Sequence, residues 1–287
     1  MPRYELSGKV VLLTGGDRGI GLATARTLCA RGARVAVIGH DPEAVEAARV
    51  QLNSERVLGI VADVTDASAM QAAAAETVER YGAIDVVVAN AGIASRVTTF
   101  QAMSSENLER VLDVDLMGVC RTVEAALPEI LRSRGHVTIV SSIYAFVNGV
   151  GNIPYAMAKA AIEQFGRALR VELAPSGVSA GVVYLGFIDT DMLHRALDTD
   201  PLATQMLEVF PSPLRKRIPP EHAACAIADG IERRRPSVVL PRRWAPVSSL
   251  RGVLNPLSDA YLRRHRRVNA LVRELDTRSG EEQPTTS

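Results

Sequence analysis

Residues 10–21 read VVLLTGGDRGIG, and the two halves of this stretch ask opposite things of the backbone. VVLLT is apolar at nearly every position, as a strand is when both faces of its sheet are covered. GGDRGIG follows with no spacer and places glycines at 15, 16, 19 and 21. Glycines allow a sharp turn and close backbone approach to a ligand, and a helix beginning there offers unpaired N–H groups to a phosphate. The spacing is G-x-x-x-G-x-G rather than G-x-G-x-x-G, so the cluster alone fits either a nucleotide-binding turn or a plain glycine turn. Its position directly after a first strand favours the nucleotide.

Outward from this stretch, short β-branched runs alternate with longer helical ones. The strand candidates are RVAVI (34–38), VLGIVA (57–62), DVVVAN (85–90), HVTIV (136–140), VSAGVVYL (178–185) and SVVLP (237–241). Helical patterning covers 19–30, 43–52, 67–81, 105–132, 155–174 and 221–233. This alternation predicts an α/β chain, with a doubly wound parallel sheet and helices on both faces. Beyond Pro241 the texture changes: Leu250, Leu254, Leu257, Tyr261, Val268, Leu271 and Leu275 recur at roughly helical spacing among arginines, with Pro256 interrupting. One or two appended amphipathic helices are expected there.

The chain has 287 residues, 47% hydrophobic and 23% charged, with a net charge of +1, enough for one large domain with or without an appendage. Its last residues, TRSGEEQPTTS (277–287), are polar enough to stay unfolded. Cys29, Cys120 and Cys225 lie far apart in apolar surroundings. Three such cysteines fit neither a disulfide framework nor a zinc site, so no metal is expected and the thiols read as reduced, in a cytoplasmic protein. The first residues lack the apolar stretch of a signal peptide, and no run of 18 apolar residues occurs, so a soluble protein is expected. Residues 232–273 contain eleven arginines. This segment is either a solvated or partner-facing tail, or a surface for an acidic lipid or another subunit. Aromatic residues are few there (Trp244 and Tyr261), which speaks against nucleic acid.

In a dinucleotide site, a carboxylate at the end of the second strand takes the adenosine ribose hydroxyls. Here that strand ends Ile38-Gly39-His40-Asp41-Pro42-Glu43, and Gly39 stands where the acid belongs. Asp41 is either a ribose acid or the N-cap of a helix that begins with Pro42. Arg18 and His40 are placed to meet a 2′-phosphate, which leans toward NADP(H) and leaves NAD(H) open. Further on, SSIYAFVNGVGNIPYAMAKAAIEQF (141–165) closes a strand with Ser141 and Ser142, then sets Tyr155 and Lys159 one helical turn apart.

Taken together, TGGDRGIG (14–21), Asp63-Val64 after the third strand, Asn90-Ala91-Gly92 after the fourth, and Ser142 with Tyr155-x-x-x-Lys159 resemble the short-chain dehydrogenase/reductase family, over roughly residues 7 to 241. The resemblance implies a three-layer Rossmann fold with a seven-stranded sheet, a nicotinamide cofactor, and hydride transfer between an alcohol and a carbonyl. It implies cofactor contacts from Gly15, Asp17, Arg18, Gly19, Ile20, Gly21, His40, Asp63, Val64, Asn90, Ala91, Gly92, Tyr155, Lys159, Gly186, Ile188 and Thr190. Asp63 would meet the adenine, Asn90 would steady the strand beneath the cofactor, and Lys159 would hold the nicotinamide ribose. A phenol titrates near 10, so Tyr155 needs the nearby ammonium of Lys159 to exchange protons efficiently near neutrality. Ser142 would fix the substrate oxygen, and Ser141 reads as its strand-end neighbour. Residues 1–245 then form the catalytic unit, with a substrate lid at about 187–218, and 246–287 the basic helical extension with its unfolded end. A homodimer or homotetramer through the helices holding Asp115 and Tyr155 also follows.

Two positions depart from the family. Asp115 stands where the family has an asparagine that holds a water linked to the lysine. A carboxylate there could pair with Lys159 and divert its charge from Tyr155, or could be protonated or simply accept from the relay water at modest cost; either way Asp115 counts among the catalytic candidates. Leu185 replaces the usual proline before Gly186. The lid sequence is apolar, through Met192, Leu193, Leu197, Leu202, Met206, Leu207, Val209 and Phe210. These residues either line a site for a lipophilic alcohol or carbonyl compound or pack as lid core. The extension could cover the lid, join a subunit interface or lie on a membrane. A competing reading keeps the same fold and cofactor but little catalysis, as a sensor or scaffold.

Overall fold

In the computed structural model, which describes residues 3–53 and 55–278, seven apolar runs form one parallel sheet. The strands are β1 (Val10–Thr14), β2 (Arg34–Gly39), β3 (Val57–Val61), β4 (Val86–Ala89), β5 (His136–Ser142), β6 (Ser179–Leu185) and β7 (Ser237–Leu240). Their order is β3-β2-β1-β4-β5-β6-β7, so the direction of winding reverses between β1 and β4. That reversal opens a crevice at the carboxyl ends of the strands, where the glycine turn, Asn90 and Ser142 all emerge.

The helices are α1 (Gly19–Ala30), α2 (Pro42–Leu52), α3 (Ala67–Tyr81), α4 (Ser105–Leu112), α5 (Gly118–Ser133), α6 (Ile153–Glu172), α7 (Asp191–Leu193), α8 (Pro201–Leu207), α9 (Ser212–Arg215), α10 (Pro220–Glu232), α11 (Ala245–Arg264) and α12 (Arg266–Asp276). Met70 and Ala73 of α3, Ile130 of α5 and Ile162 of α6 are buried against one face of the sheet. Leu28 of α1 and Ile227 and Ile231 of α10 are buried against the other. A fully buried aliphatic side chain contributes about 1.5–3 kcal/mol, so these two layers supply most of the cohesion.

Three local features differ from the sequence pattern, each for a physical reason. The helix expected over 105–132 is interrupted by a π turn at Asp113–Met117, and Asp115 is its one buried residue. Such turns displace one residue from the regular ladder and recur at functional sites. β5 runs two residues past its apolar stretch, because Ser141 and Ser142 still pair with Tyr184 and Leu185 of β6. Of the polar end, Thr277 and Arg278 are described, and the remaining residues lie outside the described ones. Arg278 is not part of an unfolded end: it bonds both oxygens of the buried Asp200 (2.5 and 2.6 Å) and the Val97 carbonyl (2.9 Å).

Candidate active site

The crevice is a cleft of about 1040 Å³, and its walls include every residue expected to bind the cofactor or take part in catalysis. At one end is the glycine turn. Gly15 and Gly19 have φ of +60° and +52°, a left-handed region costly for other residues. A Cβ on Gly21 would sit 1.8 Å from the Gly15 carbonyl oxygen, so the turn closes this tightly only with glycine. Asn90 braces it from the neighbouring strand, its Nδ2 donating to the carbonyls of Thr14 (3.1 Å) and Gly15 (2.9 Å). Thr14, which opens the TGGDRGIG motif but carries no assigned role there, accepts in return through Oγ1 from the Asn90 and Ala91 amides. Helix α1 starts here without a side-chain cap or an acidic residue in its first turn, so its amides remain available to a phosphate.

Beside this turn the charges are arranged in a chain. Arg18 Nε donates to Asp17 (2.9 Å) and its other arm to Asp41 (3.1 Å). Asp41 caps α2, accepting from the Glu43 and Ala44 amides, so its cap function holds alongside the ion pair. Asp17 occupies the space left by Gly39: a Cβ on Gly39 would lie 2.8 Å from the Asp17 carboxyl carbon. The end of β2, which carries no carboxylate of its own, thus lies against the Asp17 carboxylate of the glycine turn. His40 is exposed at the rim, and Asp63 holds its own loop by accepting from the Thr65 amide (2.8 Å).

At the opposite end lie Ser142, Tyr155 and Lys159. Ser142 donates to the Leu185 carbonyl (3.2 Å) and accepts from the Tyr144 amide (3.3 Å). Ser141 faces away and donates to the Lys159 carbonyl (2.9 Å), tying β5 to α6. Tyr155 and Lys159 share the first two turns of α6, with Nζ 5.2 Å from the centre of the phenol ring. Tyr144, also missed from the sequence, meets Tyr155 edge to face at 5.6 Å. Its nearness to Ser142 in the chain was the only available signal.

Asp115 is fully buried beneath this group. One oxygen accepts from the Ile93 amide (2.7 Å), and the other is 3.0 Å from Lys159 Nζ, close enough for ion pairing but without hydrogen-bond alignment. Burial disfavours the ammonium of Lys159, but the Asp115 carboxylate outweighs it and holds the pKa above its ordinary value. Burial raises the Tyr155 pKa; Lys159 pulls it down and Asp115 pushes it back up. Burial likewise lifts Tyr144 to about 12, so it stays a neutral phenol.

Thr190 caps α7 by accepting from the Leu193 amide (3.3 Å), and its methyl would lie 3.5 Å from a Cβ on Gly19, so this loop reaches the glycine turn. Ile188 pairs with Ile218, and Gly186 leaves room for the buried Trp244. The apolar lid divides. Met192, Leu193 and Leu197 face the cleft. Leu202 and Met206 instead pack against Leu271 and Leu275 of α12, while Leu207 and Phe210 surround Trp244. The extension thus covers the lid.

Fold and site together define the class. A model of the short chain dehydrogenase family matches residues 9–201, and the chain belongs to that family of enzymes, which are NAD(P)(H)-dependent oxidoreductases. It is 32% identical over 217 residues to oxidoreductase UcpA of Escherichia coli, spanning 72% of this chain and 82% of that protein. It is 34% identical over 209 residues to 2-(R)-hydroxypropyl-CoM dehydrogenase of Xanthobacter autotrophicus, spanning 71% and 84%. Among solved structures, levodione reductase superposes with a TM-score of 0.76 at 26% identity, covering 83% of this chain and 98% of that one.

Proposed function

We propose that the protein moves a hydride between a nicotinamide dinucleotide and a lipophilic secondary alcohol or ketone, with Tyr155 as general acid and base. The observation that carries this reading is that Ser142, Tyr155 and Lys159 end the same cleft that begins at the glycine turn. The residues fit the cofactor: the turn tolerates no Cβ at position 21, and α1 presents uncapped amides. Gly15, Gly19, Ile20 and Gly21 would hold the phosphates, and Asp17, Arg18 and His40 the adenosine ribose. Asp63 and Val64 would hold the adenine, with Asn90, Ala91 and Gly92 beneath. Tyr155 and Lys159 would take the nicotinamide ribose, and Gly186, Ile188 and Thr190 the carboxamide. Once bound, the cofactor supplies or accepts the hydride.

The chain's own groups handle the proton. Ser142 turns its hydroxyl from the Leu185 carbonyl to the substrate oxygen and fixes it. Tyr155 removes the alcohol proton in oxidation or returns one to the carbonyl oxygen in reduction. Lys159 favours the phenolate, and Asp115 draws part of that field away. Met192, Leu193 and Leu197 favour a lipophilic substrate, while the names of the relatives support only an alcohol or carbonyl compound, as in 2-(R)-hydroxypropyl-CoM dehydrogenase and levodione reductase. Arg18 and His40 lean toward NADP(H), but Arg18 already carries two carboxylates, so the pocket takes NAD(H) as well. A second copy packing on the helices that hold Asp115 and Tyr155 is supported by exposed Leu131 and Met157 there.

Titration of the purified protein with NADH and NADPH, followed by turnover of lipophilic ketones with the native chain and Tyr155→Phe, tests this. Binding of a nucleotide with turnover that Tyr155→Phe reduces by about three orders of magnitude is the expected result. Binding without turnover, or turnover indifferent to Tyr155, would reject the assignment.

A further inference from the structure

Helix α11 has twenty residues, and none of them is buried. Its inner side is held by polar contacts. Arg251 grips Glu163 of α6 through two hydrogen bonds of 2.7 and 2.6 Å, and Asn148 donates to Asp259 at 2.9 Å. Its outer side carries Leu250, Val253, Leu257 and Tyr261, exposed by 56, 66, 63 and 59%. Intervals of three, four and four residues put these side chains in one row along the helix. Single exposed apolar residues are ordinary, but a contiguous row is a surface that awaits a cover.

The charges around the row indicate what that cover is. Arg264 extends it by one further turn, Arg263 and Arg266 lie beside that end, and Arg242 precedes the other; all four are exposed. The row thus runs into arginine at its carboxyl end, Arg242 stands before the helix, and no acid lies in its outer middle, where Ser249, Gly252 and Pro256 flank the apolar side chains. Two copies of α11 placed face to face and parallel would set arginine against arginine, and like charges so close are costly; placed antiparallel they would offer those arginines no acid in the row. An anionic lipid surface meets both features, taking the apolar row into the acyl boundary and the guanidinium groups among the phosphates.

We propose that the outer face of α11 is a membrane-docking surface that lies in the headgroup region of anionic bilayers. No helix of the described residues is long and apolar enough to cross a membrane, so the contact is peripheral. The Asn148–Asp259 bond joins the inner side of this helix to the loop after β5 and leaves the outer face free to dock.

The test is co-sedimentation of the full chain, without nucleotide or substrate, with vesicles of phosphatidylglycerol and phosphatidylcholine and with vesicles of phosphatidylcholine alone. Because no ligand of the cleft is present, its outcome is independent of the enzymatic reading. The expected result is binding to the anionic vesicles only, weakened by added salt, and reduced by about 100-fold in Leu250→Gln/Val253→Gln/Leu257→Gln. Arg263→Gln/Arg264→Gln should weaken binding and flatten its salt dependence, and thermal melts matching the native chain would show that both variants are folded. Absence of binding to anionic vesicles would overturn the proposal, as would equal binding by the folded triple variant. A native dimer that the triple variant dissociates would assign the face to a second copy instead.

Discussion

Replacing Asp115 by asparagine removes a buried charge and leaves the shape almost unaltered, so it isolates what the carboxylate does to Tyr155. Lys159 Nζ is 5.2 Å from the phenol ring centre, which at an effective dielectric of about 20 favours the phenolate by about 3 kcal/mol. The Asp115 oxygen lies 3.0 Å from that nitrogen, so it can be no more than about 8 Å from the ring, and its opposing field is at least about 2 kcal/mol. A field of that size alters the phenolate population by about 30-fold, which some loss of charge by an unpartnered Lys159 reduces to about tenfold. The sign follows from the proton's direction. Oxidation needs the phenolate, so its rate rises with pH to a plateau above the Tyr155 pKa. Asp115 raises that pKa after burial has done so, and its removal moves the acid limb to lower pH. Below the limb the variant should oxidise alcohol about tenfold faster than the native enzyme. In the reductive direction, which needs the protonated phenol, activity should fail at correspondingly lower pH. The assay is the pH profile of kcat on a turned-over alcohol. The limb position does not depend on how much enzyme is folded, which matters because stripping a buried ion pair of one partner costs about 3–5 kcal/mol. A limb that stays in place, or moves to higher pH, would refute the reasoning.

Gly21→Ala should weaken NADH and NADPH alike by at least about 100-fold in fluorescence titration, since its Cβ would sit 1.8 Å from the Gly15 oxygen; unaltered affinity would show that the turn does not hold the phosphates. Asp17→Asn frees Arg18 from its nearer carboxylate, and the ratio of NADPH to NADH affinity should rise about tenfold; a constant ratio would place the 2′-position elsewhere. Arg278→Ala leaves Asp200 buried without its two-pronged partner, and should lower stability by about 2–4 kcal/mol and speed hydrogen exchange in α8. Burial works against the charged Asp200, yet Arg278 holds its carboxyl below the ordinary value. The pair's contribution is therefore full above the unfolded value of about 3.9 and fades as pH falls through the folded one, so the variant's denaturation midpoint should be flatter over that acid range. Equal slopes would remove Arg278 from the account of how the lid is held.

The sequence by itself determined the layers and which residues end at the candidate cleft. Seven apolar runs and the helices between them are local patterns with fixed periods, and they appear in the sheet within one or two residues of where the pattern puts them. The glycine turn, Ser142, Tyr155 and Lys159 were legible for the same reason, because a turn and a helix face are set by residues close in the chain. Only the tertiary structure decided how the charges pair. Asp115 meets the Ile93 amide across 22 residues, Arg18 reaches Asp41 across 23, and Arg278 reaches Asp200 across 78. The order of strands in the sheet makes those neighbours, and no periodicity encodes it. Likewise, Leu202 and Met192 read alike in sequence, but α12 covers the first and the second stays exposed at the cleft. Burial is a property of what packs on a residue, and that partner comes from more than sixty positions further along the chain.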